Sequence, residues 1–415
     1  MNGTPNSAIT RSGLLPVVGI MGAVTLGGCS PDASAPPATV VSDSAGIRMV
    51  EAPAPSDVPP RIGVSEEPVY RIGWDDAERS FETLTAGALL RDGRAVVVDG
   101  GRTQQLVILS PSGSVEATLG GPGEGPGEFT SVSSIAVHPG DTILVQDAQG
   151  GRISKFTPDG FVESIRAEGA NLLYLHGVDA ETGSLMFGMP LAMVFGRRYE
   201  TPFLAVPQVR LDWTTSAADT VAMADWDQSI ATGGGNNPFM SGGFSTVSGS
   251  EFVVGRGDRA ELRWIARDGA VRQIVRWPAR ATEVPDSVLA AWESRSRALF
   301  EEIGIGAGDI ERRITAMKDA VQEPLPLFGL PGSMPSAGGI LGDPTGNVWI
   351  ARYRPPGHGP PQTYWVMSPE GEWLGAVEIP HGVRVLDVGS EYLLAVERNE
   401  FDVEAAALYR HESRP

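Results

Sequence analysis

The chain of 415 residues contains a single cysteine, Cys29, which excludes an internal disulfide. It has two lysines, Lys155 and Lys318, and every other basic side chain is arginine. Positive charge is scarce, with 32 basic residues against 51 acidic ones and a net charge of −19. That balance excludes nucleic acid as a general partner, because phosphate binding needs a basic face. The longest apolar run, Leu14–Leu26, is too short to span a bilayer. The five histidines, His138, His176, His358, His381 and His411, lack paired metal-ligand spacing, so neither a metal nor a cofactor is expected. No G-x-S-x-G elbow surrounds the serines of "GGFSTVSGS" (242–250), and no catalytic residue is assigned.

Turn-forming residues, by contrast, are plentiful. The 52 glycines and 33 prolines make up a fifth of the chain, which suits many short strands joined by turns. At the N-terminus, Arg11 precedes the Leu14–Leu26 run, and the run ends in "LGGC", Leu26-Gly27-Gly28-Cys29. This resembles the bacterial lipobox, in which small residues fit a signal peptidase and the cysteine thiol then accepts lipid. Residues 1–28 are read as a lipoprotein signal peptide, Cys29 as the lipidation site, and 29–45 as a flexible, proline-rich tether. A membrane attachment through lipid in the bacterial envelope follows, on the outer membrane and facing the periplasm or the surface.

From residue 46 onward the chain repeats. "LLRDGRAVVVDGGRTQQLVILSPSGSVEATLG" (89–120) and "IAVHPGDTILVQDAQGGRISKFTPDGFVESIR" (135–166) share one order: strand, turn, strand ending in Asp, glycine loop, strand, turn, strand. Asp99 and Asp147 stand 48 residues apart, and the turn glycines Gly113 and Gly160 stand 47 apart. Gly269 and Gly371 mark the same turn in two further copies. A four-stranded unit of about 45 residues is the signature of a propeller blade. The fold class is therefore all-β, a six-bladed β-propeller over 46–411. Blades fall at 85–166 (two), 170–222, 240–277, 337–379 and 383–410. A seventh blade fits only if 170–235 holds more than one. The last blade lacks a full strand set, and "GIRMVEA" (46–52) is expected to complete it, hiding both sheet edges.

"GGPGEGPGEF" (120–129) invites a phosphate-cradle reading, which its residues reject. Pro122 and Pro126 have no N–H to offer, Glu124 and Glu128 repel an anion, and Thr130–Val137 continues as a strand rather than a helix. The stretch is read instead as a connector crossing about 14 Å, three strand spacings, between neighbouring blades. Phe129 is expected to wedge between their faces.

"GEGPGEF" with "SSIAVHPGDTILVQDAQGGRISKFTPDG" resembles the NHL-repeat type of six-bladed propeller. "DPTGNVWIA" is similar to the signature of virginiamycin-lyase-like and sensor propellers. The resemblance implies the fold and says little of function, since one propeller hosts many activities. It also implies that Arg152 pairs with a blade aspartate such as Asp147.

Residues 282–321 break the pattern with two apolar stripes of helical spacing, Val288-Leu289-Trp292-Leu299-Phe300 and Ile310-Ile314-Met317-Val321. They are read as a helical hairpin packed on the propeller rim or capping it. "GRGDR" (255–259) is read as a turn. Loops between second and third strands share a face with the connectors, and they carry Arg102, Arg152, Arg256, Arg259, Arg352 and Arg354. Tyr353, His358 and Tyr364 accompany them. Together they form a candidate ligand face for an acidic small molecule or glycan, weighed against purely structural arginines. The expected function is a monomeric, non-enzymatic scaffold binding an envelope protein or acidic ligand. The alternative is a lyase or hydrolase acting on a glycan or small lactone at the channel mouth; a sensor ectodomain ranks third.

Overall fold

Alternating apolar residues between glycine turns fold into six separate sheets. The computed structural model describes residues 38–74, 79–138, 140–170, 173–190, 203–227, 239, 242–279, 283–319, 327, 339–354 and 362–413. Cys29 and His358 lie outside the described residues.

Two short hairpin strands come first, β1 (Val40–Ser44) and β2 (Ile47–Glu51), then β3 (Ile62–Val64) and β4 (Tyr70–Ile72). Blade I is β5 (Leu84–Leu89), β6 (Ala95–Asp99), β7 (Gln105–Leu109) and β8 (Val115–Gly120). Blade II is β9 (Val132–His138), β10 (Thr142–Asp147), β11 (Arg152–Thr157) and β12 (Gly160–Arg166). Blade III is β13 (Leu173–Val178), β14 (Leu185–Pro190), β15 (Phe203–Leu211) and β16 (Ala218–Asp227). Blade IV is β17 (Gly243–Ser248), β18 (Glu251–Arg256), β19 (Glu261–Ile265) and β20 (Val271–Arg276). Blade V is β21 (Ile340–Gly342), β22 (Val348–Ala351), β23 (Thr363–Met367) and β24 (Trp373–Glu378). Blade VI is β25 (Val383–Val388), β26 (Tyr392–Arg398) and β27 (Glu404–Ser413). First strands of successive blades neighbour one another, and β25 returns to β5. The chain is a six-bladed β-propeller. Residues 173–227 form a single antiparallel blade, so the seven-blade count falls. The repeat glycines Gly113, Gly160, Gly269 and Gly371 all have positive φ, the conformation these third-to-fourth-strand turns require.

The chain ends close the ring, but not with the expected strand. β2 lies parallel to β20 and extends blade IV, with β1 outside it. The fourth strand of blade VI is split instead between β4, paired to Ala406–Leu408, and β3, paired to His411–Ser413. Residues 46–52 were expected to complete blade VI. Their Val50 is wholly buried, but against Trp264 and Val275 of blade IV. The strand at 40–44 also shortens the expected tether. Its five residues are all exposed, and they are strand because the turn at Ala45-Gly46 (φ 54° and 84°) folds them back on β2.

The "GGPGEGPGEF" stretch joins β8 to β9 as a blade connector. Phe129 is 1% exposed and packs against Phe156 with ring centroids 5.5 Å apart. Arg152 holds the loop, donating from its guanidinium to the carbonyls of Glu124 (2.7 Å) and Glu128 (2.6 Å). Asp147, fully buried, faces Arg152 at 3.6 Å and accepts the backbone N–H groups of Thr130, Ser131 and Gly150. The expected helical hairpin is present as α1 (Asp286–Glu302) and α2 (Ala307–Asp319). Val288 and Trp292 of α1 pack with Phe239 and Tyr353, over the connector side of blades IV and V.

Candidate functional site

Each blade face is buried against its neighbour, and one seam differs from the rest. Among the described residues, five seams each bury 12 or 13 apolar side chains. The seam between blades III and IV buries four among the described residues: Met186, Phe252, Val254 and Ile265. Polar contacts take over there. At the end away from the connectors, the Asp179 carboxylate is fully buried and receives Arg210 (2.8 Å) and Arg267 (2.8 and 2.9 Å). Burial opposes its ionisation, but hydrogen bonds from Arg267, Ser250 and the backbone outweigh burial and hold its pKa at about 2. At the channel wall, His176 Nε2 on β13 lies 2.8 Å from Ser245 Oγ on β17. Desolvation lowers that imidazole to about 4, so it is neutral at pH 7.

Along β16 the same seam opens into a cleft of about 340 Å³ that runs from Arg256 and Arg259 on the connector side to the turn at Gly269, within the volume range of small-molecule sites. Met223 and Ala224 of β16 and Val254 and Ile265 of blade IV form apolar walls. Arg256, Arg259 and Arg263 line it together with Asp225 and Glu261. Gly269 (φ +83°) brings its turn so close to the Val221 carbonyl that a Cβ has no room. Arg256 is engaged by Asp258 at 2.5 Å and Asp225 at 3.3 Å. Glu261 is shared by Arg263 and Arg276, both at 2.7 Å. Arg259 is exposed and has no side-chain partner among the described residues.

The arginines expected on one face therefore divide. Arg102 sits on blade I, almost fully exposed and bound to Glu82 at 3.0 Å. Arg152 on blade II is committed to the connector carbonyls. The loops of blades IV and V are brought together: the Leu327 N–H donates to the Gly257 carbonyl, and the Leu327 carbonyl accepts the Tyr353 N–H. Arg352 is exposed at that junction, with Arg354 beside it. The Tyr353 ring belongs to the packing beneath α1, and burial pushes its hydroxyl above the usual phenol range. Tyr364 is 2% exposed and belongs to the core between blades V and VI, not to the face.

Sequence reasoning missed Arg263, Met223 and the Asp179 cluster. Arg263 alternates with core residues inside "ELRWI", where a strand's outward residue gives no sign that it lines a cleft between blades. Met223 lies in the blade whose repeat is most divergent. Among the described residues, no three His, Cys, Asp or Glu side chains gather to hold a metal ion, and no helix is long and apolar enough to cross a membrane.

Residues 88–197 match the DUF5128 family, described as a 6-bladed beta-propeller. A candidate exported protein of Bacteroides fragilis shares the fold at 9% identity and a TM-score of 0.51, covering 88% of this chain and 100% of its own. Virginiamycin B lyase from Staphylococcus aureus aligns at 8% identity and TM-score 0.38, over 81% of this chain and 87% of the lyase. A gluconolactonase from Xanthomonas campestris aligns at 14% identity and TM-score 0.40, over 80% of this chain and 88% of its own. No curated protein sequence matches.

Proposed function

We propose that this protein is an envelope lipoprotein, acylated at Cys29, whose NHL-type propeller binds an acidic ligand without transforming it. The observation that carries the reading is Arg259: an exposed guanidinium without a side-chain partner among the described residues, lining the III/IV cleft. An unneutralised arginine on a chain of net charge −19 is a local site for a carboxylate, sulfate or phosphate group. The "LGGC" sequence supports the anchor. The Asp147–Arg152 pair is in keeping with the NHL type.

Thermal-shift screening of small carboxylates, sulfated sugars and acidic glycans tests the binding. At least one anion raises the melting temperature of the wild type, and Arg259→Gln abolishes that rise while leaving the ligand-free melt unchanged. If no anion shifts the wild type, the reading is wrong. The anchor is tested separately, because Cys29→Ala moves the protein from the detergent phase to the aqueous phase.

A second reading, hydrolysis at the channel wall, is favoured by the Ser245–His176 contact at 2.8 Å. A neutral imidazole positioned to accept the serine proton is the first requirement of a nucleophilic pair. Labelling of Ser245 by a fluorophosphonate, lost in His176→Gln, supports it. An unlabelled wild type dismisses it.

A further inference from the structure

We infer that the III/IV cleft takes a single-headed anionic amphiphile, a carboxylate with a hydrocarbon chain, rather than a compact anion or a glycan. This rests on the acidic-ligand reading above and names the class of ligand. The acids lining the cleft are already engaged: Glu261 by two arginines and Asp225 by Arg256. Arg259 is left as the one lining arginine without a side-chain partner among the described residues, so a ligand with one negative head matches it. The walls beyond are methyl and thioether groups of Met223, Ala224, Val254 and Ile265. They offer a glycan's hydroxyls little to bond to, but they gain by burying a hydrocarbon chain. Met223 is 56% exposed on the outer strand of blade III, a flexible thioether at the lip of the trough. Among the described residues the seam there buries four apolar side chains, against twelve between blades I and II.

The position also suits the source. Ten residues separate Cys29 from the start of β1 at Val40. A lipid on Cys29 therefore keeps the cleft at a high effective concentration of membrane-derived amphiphiles.

Isothermal titration of the soluble chain with dodecanoate below its critical micelle concentration tests this, with dodecanol, acetate and sulfate as comparisons. Dodecanoate binds at one site, at least tenfold more tightly than dodecanol or acetate. Arg259→Gln weakens dodecanoate at least tenfold and leaves dodecanol unchanged. Met223→Asp, a substitution on an exposed position that leaves the fold intact by circular dichroism, weakens both. Acetate or sulfate binding as tightly as dodecanoate overturns the amphiphile while leaving the acidic-ligand reading standing. Dodecanoate binding that neither substitution alters overturns the location. No binding by any of these probes, with a negative anion screen, overturns both readings.

Discussion

Arg71 and Glu397, 326 residues apart in sequence, form a two-pronged ion pair at 2.8 and 3.0 Å across the closure of the ring. Glu397 is 6% exposed and also receives the Tyr409 hydroxyl at 2.5 Å. A buried carboxylate that loses its cation keeps its desolvation cost, so Arg71→Ala lowers stability by about 2–3 kcal/mol in urea unfolding. Truncation separates the N-terminal elements. A chain beginning at residue 54 loses only the β1–β2 extension of blade IV and still melts cooperatively, at a lower temperature. One beginning at residue 74 lacks β3 and β4, leaves the outer edge of β27 unpaired and aggregates. Equal melting of all three chains rules out closure by β3 and β4.

Arg152 is a structural arginine that also tests the connector. Removing its hydrogen bonds to the Glu124 and Glu128 carbonyls and its ion pair with Asp147 costs about 1.5–3 kcal/mol, read as a lower urea midpoint for Arg152→Gln with an unchanged slope. Arg102→Gln, at the equivalent place in blade I, is the control. Its side chain is 93% exposed, and the midpoint stays where it is.

The polar seam between blades III and IV makes its own demand. Asp179→Ala leaves Arg210 and Arg267 facing each other with the exposed Glu181 as counter-ion to Arg267 alone, and stability falls by about 3 kcal/mol. With the folded pKa held at about 2 against an ordinary 3.8, the carboxylate's contribution is complete above pH 4 and is lost as pH falls toward 2. The wild type and the variant therefore converge in stability at the acid end of a pH series.

Two channel groups titrate with opposite consequences. Asp387 on β25 accepts the Leu89 N–H at 2.7 Å, and burial raises its pKa to about 6. A raised carboxyl favours the fold below its unfolded pKa of 3.8 and loses that contribution as pH rises through 6. Asp387→Asn is accordingly more stable than the wild type at pH 7.5, by up to about 3 kcal/mol, with the advantage vanishing by pH 4. His176 runs the other way. Its pKa falls from 6.5 to about 4, so its contribution is full above 6.5 and is lost as pH falls through 4. His176→Gln gains on the wild type over that same fall. Melting temperatures of both variants between pH 4 and 7.5 check the two signs, and parallel curves refute them.

Local chemistry made the propeller legible in the sequence. Alternating apolar residues, Asp99 and Asp147 at strand ends, and turn glycines at Gly113 and Gly160 encode one blade at a time, because period-two burial and positive φ need only near neighbours. The helical hairpin was legible for the same reason, since Ile310 and Ile314 mark a buried stripe by spacing alone. Tertiary structure decided which sheet edge took each N-terminal strand. "GIRMVEA" reads as a short strand, and only the assembled ring shows that blade IV accepts it in parallel while blade VI is completed by β3 and β4. It also decided the site. Arg256 and Arg259 could be placed on one loop, but the cleft beside them lies at a seam where, among the described residues, blades III and IV bury four apolar side chains and meet through Asp179, His176 and their partners. That is a property of two faces packed together, and neither strand's own periodicity contains it.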